Sequence, residues 1–179
     1  MGNAIHRRQT RENKVEESNA MSEYRRRHST CDKFSFIFVG NGAHGKTFLL
    51  YKYIKNKFPD NFVGTVFDTF QYEKEYYDKI LKFTMWDTSG VEEYSRLRAL
   101  SYPAADLFFI CYSVTSDEGF YAVKKKWVPE LMHYNSSAGM VLVGMKTDLR
   151  DDPETLKYLS SMGKTPLSPE DGVQLAEEI

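Results

Sequence analysis

The stretch Gly40-Asn41-Gly42-Ala43-His44-Gly45-Lys46-Thr47 limits what this chain can fold into more than any other. It reads G-x-x-x-x-G-K-[ST] and lies between an apolar run, Phe34-Ser35-Phe36-Ile37-Phe38-Val39, and a helix-like segment, Phe48-Leu49-Leu50-Tyr51-Lys52-Tyr53-Ile54. That strand, loop and helix setting is the one the motif requires. Glycines let backbone N–H groups turn inward around phosphate oxygens, at a helix N-terminus whose dipole also favours anions. Lys46 adds a cation for the β- and γ-phosphates, and the Thr47 hydroxyl is a ligand for Mg²⁺. A glycine-rich turn that binds nothing would share the spacing but would not need this setting. Residues 40–47, with Phe48 behind them, are therefore the first candidate nucleotide contacts.

A chain of 179 residues has room for one ordinary domain, and 41% hydrophobic with 27% charged residues is the balance of a globular protein. A net charge of −1 provides no basic field for nucleic acid. Two cysteines, one of them Cys111 within an apolar run, suggest no disulfide framework and point to a reducing compartment. Residues 1–31 stand apart. Arg7, Arg8, Arg11, Lys14 and Arg25 to Arg27 sit among polar residues with little to bury, the composition of a disordered extension ahead of a domain at 32–179. Gly2 offers an N-myristoylation site, although His6 replaces the preferred Ser or Thr; an acyl chain beside the arginines would make a two-signal membrane anchor. Arg26-Arg27-His28-Ser29 has the character of a phosphorylation site, where phosphate would offset the local charge, but a merely solvated basic tail is the favoured account.

After the phosphate loop, a helix is expected to end near Lys57, broken by Phe58-Pro59-Asp60-Asn61. Residues 66–77 and 80–86 read as strands; Leu81, Phe83 and Met85 alternate with Lys82 and Thr84. Residues 107–112 and 140–143 are continuous apolar runs, as in buried parallel strands. Residues 117–134 read as one helix, with Trp127 and Leu131 on its inner side. Pro153 opens a short helix, and Ser168-Pro169 begins another with Asp171 at its third position. Strands alternating with helices give an α/β doubly wound, mostly parallel sheet with flanking helices, which binds ligands at the carboxyl ends of its strands.

Two further strand ends carry chemistry. In Asp87-Thr88-Ser89-Gly90, the aspartate can hold Mg²⁺ and the Gly90 N–H can meet a γ-phosphate. In Met145-Lys146-Thr147-Asp148, the Asp148 carboxylate can accept the two N–H donors of a guanine edge, an arrangement adenine does not offer. With these three stretches in this order, the chain resembles a Rho-family small GTPase, nearest the Rac-like branch, on a Ras-like phosphate-loop fold. The resemblance also rests on Phe58-Pro59, Thr65-Val66-Phe67-Asp68, Trp86-Asp87-Thr88, Tyr94-Ser95-Arg96-Leu97-Arg98, Leu100-Ser101-Tyr102-Pro103, Trp127-Val128-Pro129-Glu130-Leu131 and residues 146–152. Residues 150–168 match in length the insert helix of that family.

The resemblance implies bound GTP or GDP with Mg²⁺ on Thr47, Thr65 and Asp87, with Lys46, Thr65 and Gly90 serving hydrolysis. It places Phe58 and Lys146 against the base. It implies effector contacts in switch I (about 59–68: Phe62, Val63, Gly64, Thr65, Val66, Phe67, Asp68) and switch II (about 88–101: Tyr94, Leu97, Arg98). Trp86 resembles the position that discriminates among exchange factors. Exchange factors, activating proteins and dissociation inhibitors are the implied regulators of a monomer signalling to actin or polarity. The implied location is the cytoplasm, at the inner face of the plasma membrane.

Departures from that pattern change the expectation. Val91 stands where the family's glutamine orients the attacking water, and it has neither donor nor acceptor. Slow hydrolysis is expected unless another side chain, Glu92 being the candidate, takes that role. Met145 replaces Asn or Thr, His44 a small aliphatic, Phe62 a Tyr and Gly64 a Pro, which together predict looser nucleotide retention. Ile179 precedes the family's last guanine loop, strand and helix, so a C-terminally incomplete domain is expected. A pseudo-GTPase binding module that does not turn nucleotide over is the alternative; an ATP-using phosphate-loop kinase fits Asp148 poorly.

Overall fold

The computed structural model describes residues 31–60, 64–77 and 79–179. Strand β1 (Asp32–Val39) runs into the glycine loop and helix α1 (Lys46–Lys55). Next come β2 (Phe67–Tyr76), one residue shorter at each end than expected, and β3 (Lys79–Thr88), longer than expected at both ends, then short helix α2 (Ser95–Ala99). Strand β4 (Leu107–Ser113), helices α3 (Asp117–Ala122) and α4 (Val128–Tyr134), β5 (Gly139–Met145), α5 (Pro153–Ser161) and α6 (Pro169–Glu177) complete the order. The five strands form one sheet in the order β2-β3-β1-β4-β5, with β1, β4 and β5 parallel.

Alternation in β1 and β4 puts a core on each face of that sheet. Ile37, Val39, Phe108 and Ile110 join Trp127, Leu131 and Leu175 in one cluster. Phe38 and Cys111 join Leu50, Phe70 and Met85 in the other. Phe38 and Phe109 stack with centroids 4.6 Å apart and planes 5° apart, so the second core has a flat aromatic floor. Each buried Trp, Phe or Leu here contributes about 1.5–3 kcal/mol of apolar transfer.

By their contacts, among the described residues 34–60, 64–72 and 83–179 make one body, and 31–33 with 73–77 and 79–82 a second, smaller unit. Within the smaller unit Lys79 pairs with Asp32 at 3.6 Å and Lys82 with Glu73 at 2.7 Å. The readings of Gly2, of the basic segment and of Phe62 and Val63 lie outside the described residues.

The expected helix over 117–134 is interrupted by a wide π turn at Val123–Trp127, where the Val128 N–H reaches the Val123 carbonyl. Proline follows directly at 129, and it has no N–H to give and collides with the carbonyl four residues back. The wider turn moves that carbonyl away, so the helix continues past Pro129. The last helix begins as its sequence indicates: Ser168 accepts from the Asp171 N–H at 3.1 Å, and the Asp171 carboxylate accepts from the Ser168 N–H at 2.7 Å.

Candidate functional site

The loop after β1 turns through three left-handed residues, Gly40 (φ 136°), Ala43 (φ 60°) and Gly45 (φ 96°). Gly40 is irreplaceable on two counts. Its φ suits glycine, and a β-carbon there would lie 2.0 Å from the Cys111 carbonyl oxygen. Gly90 lies against the same loop, since a β-carbon on it would come within 2.3 Å of the Gly40 oxygen. The end of β3 is thereby pressed onto the loop that ends β1. Thr88 secures it by donating to the Phe38 carbonyl at 2.7 Å.

Around this junction lies a cleft of about 770 Å³, lined by the loop from Gly42 through Leu49 together with Phe58, Thr65, Thr88 to Val91, Met145, Lys146 and Asp148. Lys46 is buried and donates to the Gly40 carbonyl at 2.7 Å and the Asn41 carbonyl at 3.0 Å. Burial lowers its pKa, and Asp87 works the other way. Asp87 is fully buried, and burial raises its pKa against the opposing pull of Thr47, Lys46 and Thr65. Its Oδ2 accepts from Thr65 Oγ1 at 3.3 Å, while Thr47 and Thr65 hydroxyls meet at 2.6 Å. Its Oδ1 has no hydrogen-bond partner. A buried carboxylate oxygen without a donor is costly unless a cation meets it. Two hydroxyls and one orphaned carboxylate oxygen, all hard oxygen donors, are the set Mg²⁺ takes when phosphates and water supply the rest. The residues fit the ion.

At the other end of the cleft Phe58 is exposed, its ring 5.9 Å from Phe48 and under Lys52 at 5.7 Å. Lys146 holds a left-handed conformation (φ 59°), and Asp148 follows in an exposed helical turn. Met145 reaches across toward the loop; its Cε lies 3.3 Å from where a Gly45 β-carbon would be. The apolar contact stands where the resemblance calls for a polar one.

Residues 35–179 match the family described as the Ras family. The chain belongs to the Ras family. Membership makes it a GTP-binding switch of the small GTPase class in general terms, and the cleft, loop and hydroxyl set occupy the expected places in its sheet.

In this Ras-family domain most of the residues expected for the phosphates, base and metal line one cleft, while Gly40, Asn41 and Asp87 are not among its lining residues; those expected to face partners are not all on the surface. Tyr94 and Leu97 are on the surface. Arg98, expected on the same partner-facing segment, is instead buried, its side chain 0% exposed. Its Nε and Nη2 donate to the two Glu130 carboxylate oxygens at 2.8 Å each, and its Nη1 donates to the Val91 carbonyl at 2.9 Å. Its guanidinium lies 4.9 Å from the Trp127 ring. A bidentate carboxylate and an aromatic face compensate the buried charge. Tyr102 donates to Glu130 at 2.7 Å, and burial together with that carboxylate pushes the Tyr102 pKa up.

Sequence reasoning also missed three contacts around the loop. Trp127 Nε1 donates to Asn41 Oδ1 at 2.9 Å, across 86 residues of chain. Glu92 accepts from Lys126, which lowers the Glu92 pKa, and lies 3.7 Å from Arg98. His44 is buried, with Nδ1 3.4 Å from the Cys111 carbonyl. Only a map of what each residue touches could have revealed these, because no local pattern marks them. Among the described residues there is no cluster of three or more His, Cys, Asp or Glu suited to a metal.

Proposed function

We propose that this Ras-family protein is a Rho/Rac-like switch that hydrolyses GTP slowly and therefore rests mainly in its GTP-bound form, signalling to the actin cytoskeleton or cell polarity. The observation that carries the reading is the state of the segment after Gly90. Val91 has no polar side-chain atom to aim a water, and its carbonyl is engaged by Arg98. Glu92, the nearest substitute, is paired with Lys126, lies 3.7 Å from Arg98 and is not among the residues that line the cleft. The Rac-like assignment is supported by Trp127-Val128-Pro129-Glu130-Leu131 and by the helix Pro153–Ser161 in the place of the family's insert. Attachment at the inner face of the plasma membrane through Gly2 and the N-terminal arginines belongs to the same reading.

In this reading loop N–H groups and Lys46 hold the phosphates, Phe58 and Lys146 sandwich the base, and Asp148 selects guanine. Mg²⁺, held by Thr47, Thr65 and Asp87, would neutralise charge building on the phosphate oxygens. Thr65 and the Gly90 N–H order their segments while a γ-phosphate is present and release them once it is lost, and the effector and regulator surfaces change with them. The test is chromatography of nucleotide released from protein purified without magnesium, followed by single-turnover hydrolysis. Mostly GTP with slow turnover is expected. Mostly GDP, or hydrolysis as fast as an ordinary small GTPase, refutes the slow-switch reading; a folded protein that carries and accepts no nucleotide favours the pseudo-GTPase.

A further inference from the structure

The His44 side chain does something the expected loop residues do not. It lies between two left-handed residues, Ala43 (φ 60°) and Gly45 (φ 96°), and Ala43 adopts that backbone against its own steric preference. Such a conformation persists only where its surroundings over-determine it. The ring is buried, with Nδ1 at 3.4 Å from the carbonyl of Cys111 on β4. On its other side it fills the space above Gly119 of α3. A β-carbon at residue 119 would lie 2.0 Å from His44 Cε1, 2.6 Å from Nε2 and 3.1 Å from Nδ1. Gly119 itself is buried, and its N–H caps the helix start on Ser116 Oγ at 3.1 Å. Glycine therefore serves no conformational need there that α-helical backbone imposes. It supplies room, and the room is filled by an imidazole.

We infer that His44 is a positioning residue for the nucleotide phosphates, acting through the loop backbone, and that its seat on Gly119 is what makes it so. With the ring seated, the loop is tied to β4 and to α3 at its most contorted point, between Ala43 and Gly45. The N–H groups of that stretch keep the inward orientation a phosphate needs before the ligand arrives, which lowers the ordering cost of binding. Seating thus acts against the looser retention that the sequence alone predicts from His44 together with Met145, Phe62 and Gly64. The pair works as a unit: His44 needs the absence of a side chain at 119, and a side chain at 119 displaces the His44 ring from its seat.

The inference rests on the reading of the cleft as a nucleotide site, and release of fluorescently labelled GDP, chased with excess unlabelled GDP, tests the two separately. Gly119→Ala should speed release by about tenfold or more, the effect of overpacking a tight site. His44→Ala alone should speed it by less, because no clash is created. The double variant should release at close to the His44→Ala rate, since removing the ring removes the collision. His44→Asn, which keeps a donor for the Cys111 carbonyl, should lie between wild type and His44→Ala. A merely structural role would lower the melting temperature of Gly119→Ala without this reciprocal rescue of release. Equal release from wild type, Gly119→Ala and His44→Ala overturns the inference while leaving the nucleotide site standing. Should Gly119→Ala not fold, the order wild type, His44→Asn, His44→Ala decides the matter alone, and its absence overturns the inference. Wild type that takes up no labelled GDP overturns the reading of the cleft and the inference with it.

Discussion

Removing the Glu130 carboxylate should expose how much of the domain depends on one buried guanidinium. In Glu130→Ala, Arg98 keeps the Val91 carbonyl, the Trp127 face and only the exposed Glu92 carboxylate at 3.7 Å, but loses both of its bidentate acceptors, and Tyr102 loses its acceptor as well. An uncompensated buried charge costs about 3–5 kcal/mol. The Glu130 side chain is 19% exposed, so water reaches the gap and the lower figure applies. A loss of about 3 kcal/mol corresponds to a fall in Tm of roughly 6–12 °C for a domain of this size. Urea unfolding read as the midpoint at constant slope measures it. The companion variant Arg98→Met with Glu130→Leu removes both charges and keeps most of the volume. It should recover all but about 1 kcal/mol, because replacing a buried ion pair with apolar residues is often neutral. Yet it should not restore the tether to Val91, so limited proteolysis after residue 91 should be faster than in wild type. If Glu130→Ala costs under about 1 kcal/mol, or the double variant is no better than the single, the compensated-charge account of this cluster is wrong.

Three further outcomes follow from the same geometry. Val91→Gln restores a group able to aim water and should raise single-turnover GTP hydrolysis by about tenfold or more, below the full 10²–10⁴ range of proton-handling groups because the segment stays tethered by Arg98. An unchanged rate would show that Val91 is not what limits turnover. Asp87→Asn removes a buried charge whose Oδ1 is unpaired, so the magnesium-free protein should gain stability by about 1 kcal/mol. The same variant should lose the ability of Mg²⁺ to slow nucleotide release; retained Mg²⁺ dependence would remove Asp87 from the metal site. Burial lowers the His44 pKa below its usual 6.5. Between that lowered value and 6.5 the unfolded chain binds the extra proton, so stability should fall as pH falls through this window and level off below it. His44→Asn should flatten that limb of the Tm profile, and an unchanged slope would mean other histidines cause it.

The loop, the Asp87 turn and the alternation of β1 and β4 were legible because each is local: glycine at positive φ, a carboxylate at a strand end, a period of two. Strands and helices followed the same logic, as did the Ser168 cap. What escaped was chemistry joined across the fold. Tyr94-Ser95-Arg96-Leu97-Arg98 looks like a charged surface segment, and only the position of Glu130, 32 residues on, turns Arg98 inward. The π turn was hidden for a related reason. Pro129 disrupts a helix through the carbonyl four residues before it, and the sequence does not say whether the chain will break there or widen. His44 was read as a departure from pattern, but its meaning depends on Gly119, which has no side chain to announce it.

The parallel pairing of β1 with β4 has a kinetic consequence. Ser35 donates to the Asp106 carboxylate at 2.7 Å across 71 residues, and Phe36 stands opposite Leu107. Such a pairing closes a long loop before any contact rewards it, so it is intrinsically slow to form, whereas the segment from β2 to β3 needs only a short reversal. The glycine loop cannot take its final shape earlier than this, because Gly40 is moulded against the Cys111 carbonyl of β4. Nucleotide would then meet a finished pocket only after the rate-limiting step. Added GDP and Mg²⁺ should therefore slow unfolding in proportion to their affinity while leaving the refolding rate nearly unchanged.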